Sequence, residues 1–197
     1  SVTESGAGLM NGLNWDNAFG GSQLREALVT ACEEVWVASG TYKPTNGTDR
    51  TISFVMKSNV AVFGGFAGTE NNLSERNPGV NVTILSGDIG VSNDMSDNSF
   101  HVINNDLYPL DHNAVLDGFY IMHGNANGAS PYNLGGGMVN TNGGAPEVRN
   151  CVFSQNSSDT YGGAVHNSSA SANVSFTNCL FESNTSYQGA GIFAQNS

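Results

Sequence analysis

The sequence predicts an all-β fold: a right-handed parallel β-helix of about six coils, with an N-terminal capping α-helix and an open C-terminal end. Three observations carry this. Helical periodicity occurs once, near the N-terminus. After Glu34 the chain turns into short β-rich runs separated by Gly, Asn and Asp. In its second half, motifs recur at near-constant spacing, and their apolar positions align in columns.

The single helix is expected over 22–32. Leu24, Ala27, Leu28 and Ala31 fall at i, i+3, i+4 and i+7, one apolar stripe, and Ser22 is placed to act as N-cap. Trp15 and Phe19 precede it and are expected to staple the incoming chain onto the same core. Strands are expected at 35–38, 60–63, 82–85, 101–103, 114–116, 119–122 and 174–176. No helical segments alternate with them, which excludes a doubly wound α/β sheet.

The repeats define the coils. GGGMVN at 135–140, GGAVHN at 162–167 and GAGIFA at 189–194 are spaced by 27 residues, twice. RNCVFSQN at 149–156 and TNCLFESN at 177–184 are spaced by 28, and LDGFYIMHG at 116–124 fits 32 residues before the first of them. Leu116, Val148 and Phe176 then share a column, as do Phe119, Cys151 and Cys179, and Ile121, Phe153 and Phe181. Such a unit cannot bury its own apolar face; stacked about 4.8 Å apart, the columns become ladders inside one core. Gly118, Asn150 and Asn178 form a bend column, because those residue types best tolerate a left-handed backbone. Gly40, Gly65 and Gly87 are read as its N-terminal extension. The whole stack should be about 30 Å long. The chain is thus a single domain over 1–197, with a cap at 1–34 and coils at 35–197. It lacks an initiator Met and a signal segment and stops just after a repeat begins, so it is expected to be a fragment of a longer protein.

Composition narrows function. Acidic residues outnumber basic ones 17 to 6, for a net charge of −11. Arg25, Lys43, Arg50, Lys57, Arg76 and Arg149 are scattered, which argues against nucleic acid and anionic membranes, since phosphate binding needs clustered cations. No apolar run approaches the roughly 18 residues that span a bilayer. Cys32, Cys151 and Cys179 lack metal spacing and are expected to be free and buried.

Phe153 to Asn156 (FSQN) and Phe181 to Asn184 (FESN) match an FxxN motif, and Gly162 to Val165 (GGAV) matches GGA[ILV]. In both, the chain resembles the polymorphic outer membrane proteins of chlamydiae. Trp15, the LREAL run from Leu24 to Leu28, and VWVASGTYKP from Val35 to Pro44 are similar to the start of pectin-lyase-like right-handed β-helix proteins of bacterial surfaces. The resemblance implies secretion, a cell-surface location associated with the outer membrane, and an adhesive or stalk role. It brings no catalytic residue.

The residues themselves offer few sites. A polysaccharide lyase needs a basic residue as base, and no basic cluster stands out; Arg149 reads as a solvent-facing strand residue. An inverting glycoside hydrolase needs two or three carboxylates on neighbouring coils, for which Asp88 and Asp117 are the candidates. In the acidic stretch 88–117, Asp88, Asp94 and Asp97 are the ligands to expect if Ca²⁺ is held; the spacing fits no established calcium loop. Tyr161 and Tyr187, each just before a Gly-rich strand, are candidate stacking platforms for sugar. His123 shares a column with Gln155 and Ser183 and reads as a turn residue. Irregular loops at 43–52, 67–81, 90–98, 104–113 and 125–134 break the coil length. The expected function is a non-catalytic structural or adhesive module that presents these loops to carbohydrate or to a host or neighbour-cell protein. The alternative is a polysaccharide lyase or glycoside hydrolase completed beyond Ser197. End-to-end self-association through the last coil is a further expectation.

Overall fold

The computed structural model describes residues 1–106, 109–168 and 173–195. The chain winds into a parallel β-solenoid of about 6 turns. Successive coils contribute to four parallel sheets. The first holds Glu34–Ala38, Ala61–Phe66, Val115–Asp117, Glu147–Arg149 and Ser175–Thr177. The second holds Gly40–Tyr42, Thr83–Ser86, Tyr120–Met122, Val152–Ser154 and Leu180–Glu182. Asn125–Ala126, Ser157–Tyr161 and Thr185–Gln188 form the third; Ile103–Asn104, Met138–Asn140, Val165–Ser168 and Ile192–Gln195 form the fourth. Val2 adds an N-terminal rung by bridging to Val37.

The predicted columns are ladders in register. Val148 pairs with Leu116 and Phe176. Phe153 pairs with Ile121 and Phe181, and the two Phe rings stack at 5.1 Å and 12°. At the first bend, Gly118, Asn150 and Asn178 all take positive φ, of 85°, 50° and 52°. Their side chains link coil to coil: Asn178 donates to Asn150 (2.7 Å), and Asn150 donates to Asp117 (2.9 Å).

The N-terminal extension of that column is corrected. Gly64, not Gly65, lies against Gly118, with room for no Cβ: one would sit 2.6 Å from the Gly118 carbonyl oxygen. Gly40 pairs with Thr83, and Gly87 belongs to the next bend, against His123. The difference has a physical source. The turn that starts at Ala61 does not return to the first sheet until Val115, so no single spacing spans the N-terminal half.

Each repeat motif has a defined task. In FxxN the Phe fills the core and the Asn reaches back one coil. Asn156 Oδ1 accepts from the Gly124 amide (3.0 Å), and its Nδ2 donates to the Ile121 carbonyl (2.9 Å). Asn184 does the same for Asn156 N–H (3.0 Å) and the Phe153 carbonyl (2.9 Å). Backbone groups that the bend removes from the ladder are thereby satisfied. In the Gly-rich motif, Gly162 supplies a left-handed backbone (φ 69°), while at Gly163 a Cβ would lie 2.4 Å from the Thr185 carbonyl oxygen of the next coil. A second amide ladder, Asn105–Asn140–Asn167, runs inside the fourth sheet at 2.8 Å per step.

The helix covers Leu24–Thr30, shorter than expected, after a 3-10 turn at Gly21–Gln23. Leu24, Ala27 and Leu28 are buried in the core with Phe54, Met56 and Val62, sealing the first coil. Ser22 is exposed and is not the cap; Gln23 Oε1 accepts from the Gly20 amide instead (3.1 Å). Trp15 packs on Phe66 (5.4 Å), which stacks on Trp36 (4.7 Å), so this residue staples to the outside of the first coils. Phe19 packs against the core, as expected. All three cysteines are free. Cys151 is buried and Cys179 half-buried, but Cys32, expected inside, is exposed because the helix ends at Thr30 and turns it outward. At the other end, Phe176, Cys179 and Phe181 are only partly buried, whereas their counterparts one coil earlier are enclosed.

Candidate functional site

Three insertions leave the solenoid within one turn, between Ala61 and Val115: 67–81, 90–98 and 105–113, the last lying only partly within the described residues. The first is tied down by Arg76. Its guanidinium meets Asp117 Oδ1 at 2.7 Å, donates to the Gly64 carbonyl (3.1 Å) and lies over the Phe63 ring. The second is tied down by Arg50, which donates to the Asn98 carbonyl (2.6 Å) and to Asn127 (2.6 Å) and stacks over Phe100.

Between the second insertion and the second bend lies a cleft of about 550 Å³. Its floor is the column His123, Gln155 and Ser183, all at positive φ (64°, 55°, 54°), a conformation that turns their side chains out at the bend. Asp88, Asn93, Met95 and Asn98 supply the opposite wall, and Thr185 and Ser157 complete it. His123 Nε2 and Gln155 Oε1 are 2.8 Å apart, and His123 Nδ1 lies 3.3 Å from the Ser86 hydroxyl. The lining is rich in amide, hydroxyl and carboxylate groups, the repertoire that binds polar ligands by hydrogen bonds.

Asp88 is the one expected site residue that lines this cleft. It accepts from the Asn93 amide (3.0 Å) and sits 3.8 Å from Lys43. Asp94 accepts from the hydroxyl (2.7 Å) and amide (2.9 Å) of Ser96, which hold its carboxyl below the usual range. Asp97 accepts from the Val91 amide (2.7 Å). The three carboxylates thus each close a different piece of the same loop. Among the described residues no group of three or more His, Cys, Asp or Glu side chains converges as metal ligands would.

Tyr161 pairs with Gln188 rather than Tyr187, and its ring stacks on Phe193 at 4.4 Å, beside His166. Tyr187 is 80% exposed. The two tyrosines therefore occupy different environments, one packed and one free. Asp88 and Asp117 also stand apart. Asp117 lies at the first bend, buried and paired with Arg76, while Asp88 follows the second bend, with the second sheet between them. Arg149, expected to face solvent, is half-exposed and paired with Glu147.

The cleft was half-visible in the sequence. The column of His123, Gln155 and Ser183 is a repeat feature, but the wall opposite comes from an insertion that has no counterpart in other coils. No protein-family model matches the chain, and neither the curated proteins nor the solved structures yield a match.

Proposed function

We propose that the chain is a rigid, non-catalytic module of a secreted or cell-surface bacterial protein, associated with the outer membrane, that presents side loops for adhesion to carbohydrate or protein. The observation that carries this is the placement of three insertions on a single turn of the stack, with the polar cleft beside them. Binding surfaces are disproportionately built from loops on rigid scaffolds. The FxxN and GGA[ILV] motifs, similar to those of chlamydial polymorphic outer membrane proteins, support the same reading. The separation of Asp88 from Asp117 weighs against a hydrolase with those two as its acid and base. The test is adhesion of the purified chain to immobilised glycans and to cells. Saturable binding supports the module; absence of binding to any such surface contradicts it.

A further inference from the structure

We infer that the loop-side wall of the cleft holds a subsite for a hydroxyl group of an uncharged sugar, with the side-chain oxygen of Asn98 as its acceptor. This rests on the reading above that the module binds carbohydrate, and it names the class.

Asn98 is 2% exposed. Its Nδ2 donates to the His123 carbonyl at 2.8 Å, which fixes the orientation of the amide. Oδ1 is therefore the atom left over, and it is buried with no hydrogen-bond partner. A buried acceptor without a donor is destabilising, and native proteins keep few of them. Ser1, Thr3, Trp36, Asp97, Asn133 and His166 carry the other such atoms among the described residues, and none of these residues lines the cleft. Asn98 does, so its open valence lies buried behind the wall that a ligand would meet.

The neighbours specify the ligand. Asp88 adds a carboxylate, an acceptor, to the same wall. Across the floor, Gln155 Oε1 is engaged by His123 Nε2 at 2.8 Å, which leaves the Gln155 amide N–H groups as donors. A wall of acceptors facing a donor matches the hydroxyls of a sugar, each of which donates and accepts. A uronate is a poor match. Its carboxylate has no proton for Asn98 and would meet Asp88 in a chain of net charge −11, where Lys43 is already 3.8 Å from Asp88. A cation is a poor match as well, since Ca²⁺ takes six to eight oxygens and no acidic group of three gathers among the described residues. Oδ1 is itself buried, so a hydroxyl reaches it only if the wall around Asn98 opens.

The experiment is an NMR titration of the whole chain with maltotriose, cellotriose, tri-N-acetylchitotriose and trigalacturonate. It follows backbone and side-chain amides in wild type, Asn98→Ala and Gln155→Ala, while the same proteins are assayed for adhesion to cells. The expected result is saturable shifts at Asn98 and Gln155 with at least one neutral trisaccharide, a tenfold or greater loss of affinity in both variants, and no response to trigalacturonate. Gln155→Ala keeps the test valid if Asn98→Ala fails to fold. Silence with every neutral sugar, unchanged affinity in the variants, or preference for trigalacturonate overturns the subsite. If wild type and Gln155→Ala then adhere equally, the module reading stands without the subsite; if neither adheres, the module reading falls too.

Discussion

The coils from Val115 to Gln195 and the single turn from Ala61 to Asp111 are built on different terms. In the former, the repeated positions are held by their neighbours one coil away. Phe153 stacks on Phe181, Asn184 satisfies the amide of Asn156, and Gly163 has no room for a Cβ because the Thr185 carbonyl is there. In the latter, the strands Ala61–Phe66 and Thr83–Ser86 keep the register, but the chain between and after them is held by single residues reaching out: Arg76 to Asp117, Arg50 to Asn98. Repetition supplies rigidity through many redundant contacts. The insertions supply variety through a few anchors, and the cleft forms where the two meet.

This contrast explains what was legible in sequence. Ladders impose the same residue type at a fixed interval, so the C-terminal columns of Leu116, Val148 and Phe176 were readable without a structure. The N-terminal glycines sit at other bends than their spacing predicts, because the insertions destroy the interval there. Asn98 carried no signal at all, since its role depends on where His123, on the next coil, presents its carbonyl.

The largest effect is expected in the repeats. Phe153→Ala should cost about 4 kcal/mol, because a fully buried ring that bridges two coils leaves a cavity. Chemical denaturation measures it, and a loss of less than about 1 kcal/mol would mean that the coils do not depend on their ladder. Next, Arg76→Ala should cost about 3 kcal/mol, since it leaves Asp117 buried and unpaired. Lys43→Ala, at a longer and more exposed pair, should cost under about 0.5 kcal/mol. Equal losses for the two would show that anchoring of the first insertion has been misassigned.

Acid should act on the fourth sheet. Burial holds the imidazoles of His101 and His166 below their usual value of 6.5, against an opposing pull from Asp106. Both therefore protonate less readily in the fold than once unfolded. Their contribution is therefore intact above about pH 6.5 and declines as pH falls through that value. The melting temperature should drop between about pH 7.5 and pH 5, and His101→Gln should flatten that slope. The smallest effect belongs to Asp94→Ala. The side chain of this exposed loop residue hydrogen-bonds to Ser96 alone among the described residues, so its loss should change stability by no more than about 0.5 kcal/mol.

The division of labour between repeats and insertions is tested most directly by replacing residues 91–96 with two glycines and measuring folding and adhesion on the same sample. Circular dichroism and the melting temperature should stay near wild type, while binding to glycans or cells is lost. Retained binding, or collapse of the β-solenoid, would contradict it.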